Sequence, residues 1–183
     1  EISECLVGSE MCIETVPAAF DTLSWYGKGP WETYADRKDA AFTGFYTSSV
    51  AEQHVPFVVP CECGGHEDTR FAILSDGTHT VQIVGSDDFH FSALPYSMAE
   101  YRKAAYEEEL PEHTTGTWLI LDAAHAGLGG DTGWTKNIHP EYRDAREDTA
   151  NVPFPFRIKE KIGQLPIGCL LYTSDAADDR ISV

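Results

Sequence analysis

The stretch RFAILSDGTHTVQIVG, Arg70 to Gly85, sets two short strand-like runs around an Asp76-Gly77 pair. Asp-Gly between apolar runs is a strong hairpin signal, because glycine takes the positive φ that a tight turn demands. A chain built around it commits to antiparallel pairing. DFHFSAL alternates Phe89 and Phe91 against His90 as a half-buried strand does, and TWLILD, Thr117 to Asp122, is an apolar run bounded by Gly116. VPFPFRI places Val152, Phe154, Phe156 and Ile158 on one face, while Pro153 and Pro155 confine it to a sheet edge. One helix interrupts the pattern. SMAEYRKAAYEEEL opens on Ser97 with Glu100 three residues on, a capping box, and Pro111 is expected to end it. The prediction is an all-β fold, an antiparallel β-sandwich with one short helix.

With 183 residues the chain suits one domain with a sizeable core, and no apolar run is long enough for a membrane span. A formal net charge of −17 disfavours nucleic acid and anionic membrane surfaces, which are held by Lys and Arg, but leaves neutral ligands such as sugars open. Cys5, Cys12, Cys61, Cys63 and Cys169 are odd in number and scattered, unlike a disulfide framework. They read as reduced, which points to a cytoplasmic setting. Nothing at the N-terminus has the basic and apolar regions of a signal peptide. LVGSEMCI (Leu6 to Ile13) and CLLYTSDAADD (Cys169 to Asp179) resemble translated adapters used in preparing sequencing libraries. The domain is therefore expected over 14–161, with 1–13 and 162–183 as non-native or disordered tails.

The glycine-rich stretch HAGLGGDTGW, His125 to Trp134, is the most distinctive candidate site. Its spacing does not match G-x-G-x-x-G, and no P-loop Lys-Ser/Thr or helix follows, so a phosphate cradle is disfavoured. CECGGH offers Cys61, Cys63 and His66, but C-x-C is not the usual metal spacing and no second cysteine pair exists, so no metal is expected. There is no G-x-S-x-G and no H-E-x-x-H, and no pair of carboxylates stands in a context that suggests glycoside hydrolysis. An exposed indole would suit the C–H face of a sugar ring. By composition, Trp134 can be a core plug or a ligand platform. Trp25, Trp31 and Trp118 are expected in the core.

WYGKGPWETYADRK, Trp25 to Lys38, resembles the W-x-G-x-G-P-x-E-x-Y-x-D-R segment in the C-terminal domain of glycoside hydrolase family two β-galactosidases. The likeness continues in order through HVPFVVPCECGGHEDTR, FHFSALPYS, LDAAHAGLGGDTGW and FPFRIK, covering Glu14 to about Lys161. The resemblance implies the C-terminal half of a galactose mutarotase-like supersandwich, the last domain of a retaining enzyme that hydrolyses terminal β-galactosides. It implies that the catalytic carboxylates lie on a separate TIM barrel, so no catalytic residue is expected in this segment. It also implies that Trp134 stacks on a bound galactoside, that Asp131 braces its loop, and that His125 holds a family position that is structural rather than catalytic. Thr132-Gly133 stands where the family often has Asp-Ser, which implies a looser loop, and Cys63 stands where asparagine is frequent. No cofactor is implied here, since the family's Mg and Na sit on other domains. The implied partners are the missing barrel and sister domains, in a parent that is a homo-oligomer.

Two other functions stay open on the residues alone. One is a free-standing carbohydrate-binding module. The other is an aldose epimerase, which needs a His and Glu acid-base pair in one sheet cavity, for which His90, His113 and His125 are the nominees.

Overall fold

The computed structural model describes residues 11–112, 114, 116–130, 137–143 and 156–162, with 11–14 and 156–162 described by their backbone alone. Among the described residues, seven strands form an antiparallel sheet. They are β1 (Met11–Pro17), β2 (Thr22–Gly29), β3 (Phe42–Ser49), β4 (Gly65–Ser75), β5 (His79–Leu94), β6 (Gly116–Asp122) and β7 (Phe156–Ile162). Their order is β1-β6-β5-β4-β2-β3, with β7 paired to β5. The all-β antiparallel class read from the sequence is the class observed, and the sheet is consistent with a β-sandwich. β1 begins at Met11 and pairs with β6, so the sheet reaches into a stretch expected to be a tail.

The β4–β5 hairpin turns where the Asp-Gly pair predicts. Gly77 takes φ +86° at the tip, and Asp76 Oδ1 accepts from the backbone N–H of Thr78 at 2.7 Å and of His79 at 2.6 Å. Beyond it the two predicted strands at Thr78–Gly85 and Asp88–Leu94 are one long strand, β5. Its first half pairs with β7 and its second half with β6, while β4 runs along the other side. Register shifts at His66/Thr69 and Thr69/Phe71, with Asp68 at φ +51°, bend β4 midway, as bulged strands do.

The core follows from that register. Leu23 faces Leu74, which faces Val81, and Trp25 faces Ala72, which faces Ile83. Phe91 faces Leu121 and Ala93 faces Leu119, so one apolar stripe crosses four strands on one side of the sheet. Phe20 and Val50 join it from the turns beside β2 and β3.

Two expectations need correction. Trp25 is buried and Trp118 half-buried, but Trp31 is 52% exposed, because it follows the end of β2 on a segment that leaves the core stripe. The helix, α1 (Met98–Lys103), carries the predicted capping box at Ser97 and Glu100 but stops well before Pro111. Ala104 is already extended, and Glu107–Glu109 forms a separate 3-10 turn. The good helix formers there are overridden by a tertiary contact, the Glu107 carboxylate against His54 Nε2 at 2.6 Å.

Candidate functional site

The glycine-rich loop leaves the sheet at the end of β6. Gly129 and Gly130 take φ +69° and +86°, a conformation that favours glycine. The backbone N–H groups of Leu128 and Gly129 converge there on one carboxylate, that of Asp36. Leu128 donates to Oδ1 at 3.1 Å and Gly129 to Oδ2 at 2.7 Å, two charge-assisted hydrogen bonds. Gly127 contributes by lacking a side chain, since a Cβ there would stand 2.6 Å from the Asp36 carboxyl. Its own N–H donates to the Tyr142 carbonyl at 2.8 Å.

Asp36 belongs to a strap, residues 30–41, that crosses the half of β4 left unpaired by β2. Three neighbouring residues pin this strap down. Glu32 Oε2 accepts from Gly64 N–H at 2.9 Å. Thr33 N–H donates to the Gly65 carbonyl at 2.7 Å, and its hydroxyl accepts from Glu67 N–H at 2.8 Å. The Tyr34 hydroxyl accepts from Gly65 N–H at 3.2 Å and donates to Glu62 Oε1 at 3.4 Å. A turn closed by Arg37 N–H on the Tyr34 carbonyl at 2.8 Å then delivers Asp36 to the loop.

Beneath the loop lies a polar cluster. His125 packs on His90 and Tyr34, with ring centroids 4.5 and 5.4 Å apart, and its Nδ1 meets the Ala126 carbonyl at 2.7 Å. His90 Nδ1 meets Asp122 Oδ2 at 3.3 Å. Burial pushes the Glu62 carboxyl above its ordinary range, against the pull of His125 and His90, and burial likewise raises the Tyr34 phenol. The structure thus brings His90 and His125 together with Glu62 and Asp122. Of these, His90 and Asp122 are buried, while His125 and Glu62 are half-buried. The His90 side chain is 1% exposed, and a Cβ on Gly65 would stand 2.4 Å from its Nε2, so this ring is packed on backbone. That disfavours epimerase chemistry at His90.

Cys61, Cys63 and His66 do not form a unit either. Cys63 Sγ lies 3.8 Å from the Tyr101 hydroxyl and 4.0 Å from His54 Nδ1, and burial raises its thiol to about 11. His66 Nε2 instead meets Gln53 Oε1 at 2.6 Å over the Trp25 ring. Trp134, Asp131 and His113 lie outside the described residues. The sequence reading missed Asp36, Glu32 and Tyr34 as the loop's support, although the E-x-Y-x-D spacing was in plain view. Glu32 and Tyr34, two residues apart after Pro30, reach the backbone of Gly64 and Gly65, and the turn that follows sends Asp36 to the loop instead.

Comparison with known proteins adds the family. The family described as beta galactosidase small chain matches residues 7–158. The β-galactosidase of Vibrio cholerae is 40% identical over 127 residues, 69% of this chain and 12% of the relative. A second, β-galactosidase 2 of Enterobacter cloacae, is 41% identical over 67% of this chain and 11% of the relative. That of Priestia megaterium is 39% identical over 70% of this chain and 12% of the relative. The chain therefore spans about an eighth of the length of these relatives.

Proposed function

The chain belongs to the β-galactosidase small-chain family, and from that premise we propose that it serves a larger β-galactosidase by presenting the loop after β6 to a galactoside. The hydrolysis itself is assigned to carboxylates elsewhere in such an enzyme, on the barrel that the family resemblance implies. The observation that carries this reading is the Asp36 clamp on Leu128 and Gly129, which fixes a glycine-rich backbone just ahead of Trp134. A loop so poor in side chains offers little to bury an indole against, which favours Trp134 as a platform over a core plug. An indole face pairs with the C–H side of a pyranose, while the hydroxyls find polar partners. Asp131 braces this loop and His125 supports it from beneath, by packing on His90 and Tyr34.

The test is Trp134→Ala in a full-length β-galactosidase carrying this segment. The platform reading expects KM for galactosides to rise by the equivalent of about 1–3 kcal/mol, the scale of covering one large apolar side chain. The melting temperature should stay close to the parent's. A variant that melts several degrees earlier yet binds substrate as before would mark Trp134 as a core plug and overturn the proposal.

A further inference from the structure

We propose that Asp36 is a positioning residue for galactoside binding, acting through the backbone of the glycine loop rather than by touching the sugar. The inference rests on the reading of that loop given above. Asp36 lies 93 residues before Gly129 in the chain, so the clamp is a tertiary device and no product of local turn chemistry. Both of its oxygens are committed, one to each of two successive N–H groups, which sets the loop's angle as well as its distance. Gly127 closes the arrangement from the other side, because any side chain there would displace the carboxyl it packs on. Carboxylate chemistry is required. An amide has a single acceptor oxygen and would turn its own N–H₂ towards one of the two loop donors. Asp76 likewise accepts from two successive backbone N–H groups, those of Thr78 and His79, at the β4–β5 turn and outside the loop, which makes it an internal control.

The experiment places Asp36→Asn, Gly127→Ala, Asp76→Asn, Trp134→Ala and the Asp36→Asn/Trp134→Ala pair in a full-length β-galactosidase carrying this segment. The readout is KM and kcat on a nitrophenyl β-galactoside. Asp36→Asn should raise KM about five- to twentyfold with kcat changed by less, and Gly127→Ala, which attacks the clamp from the opposite side, should do the same. Asp76→Asn should leave KM within twofold. In the pair, KM should match Trp134→Ala alone, since a displaced loop has no platform left to misplace. If Asp36→Asn and Gly127→Ala keep the parental KM while Trp134→Ala raises it, the positioning role falls and the platform reading stands. If Trp134→Ala itself leaves KM unchanged, the platform reading falls. Should Asp36→Asn fail to fold, Gly127→Ala decides, and an unchanged KM there overturns the proposal.

Discussion

His66 and Trp25 pack with ring centroids 4.2 Å apart in the core, and this pair sets the chain's response to acid. Burial, helped by the neighbouring His90, lowers His66 to about 3, so the folded protein holds it neutral. The ring is fully buried between Trp25 and Phe91, where a second proton would be a buried charge. The unfolded chain takes that proton near pH 6.5. Below that value the unfolded state binds more protons, so the contribution of His66 is complete above pH 6.5 and lost progressively down to about 3. The loss approaches about 1.4 kcal/mol per pH unit. Glu62 and Glu67 work the other way, since burial raises both and their contribution fades as pH rises through the shifted values. Comparison with His66→Gln therefore isolates the histidine. Urea midpoints should fall more steeply from pH 7 to pH 4.5 in the parent than in the variant, and parallel slopes would refute the assignment. None of this was legible in the sequence, where His66 entered only as part of a metal set that the C-x-C spacing disfavours. What decides its role is the ring beneath it, and Trp25 is brought there by the pairing of β2 with β4.

At the scale of elements, local signals were readable wherever one short segment decides the outcome. The Asp-Gly turn, the apolar run of β6 and the Ser97 capping box are each such a segment. Ser97 Oγ accepts from Glu100 N–H at 3.1 Å while the Glu100 carboxylate accepts from Ser97 N–H at 2.7 Å. A helix of only six residues cannot hold itself by propensity, so its cap and the buried Tyr101 do so. Ser97→Ala should lower stability by about 1 kcal/mol in urea denaturation, and an unchanged midpoint would show that tertiary contacts alone fix this turn. Where the sequence misled, a distant partner had intervened. The run AAYEEE reads as helix, yet Ala104 is already extended and Glu107 meets His54; the His54 ring also takes the Tyr101 hydroxyl at 2.8 Å, tying α1, the 3-10 turn and the segment after β3 together. The merging of two predicted strands into β5 has the same origin. Its halves are distinguished by which strand, β7 or β6, lies alongside, and that is invisible from either half alone.

At the scale of the molecule, the sheet leaves two kinds of surface unmatched among the described residues. Strands β3 and β1 end the strand order, and at one end of the β2–β3 ladder Phe42 is 75% exposed with Trp31 nearby along the chain at 52%. Open edges beside exposed aromatics invite pairing with another chain. The net charge of −17 opposes it, because like-charged molecules repel over a distance set by ionic strength. The balance should therefore tip with salt. The purified chain should stay dispersed at about 10 mM salt, where the screening length is near 30 Å, and self-associate at about 1 M, where it is near 3 Å. Phe42→Lys, which adds an edge cation in place of the exposed ring, should remove the association without moving the thermal transition. A monodisperse monomer by light scattering across that whole range would refute the edge argument. The same preparation should show no saturable turnover of a nitrophenyl β-galactoside at any salt. Retaining hydrolysis needs a nucleophile and an acid about 5 Å apart across an accessible bond. Among the described carboxyls near the glycine loop, Glu62 bonds Tyr34 and Asp122 bonds His90.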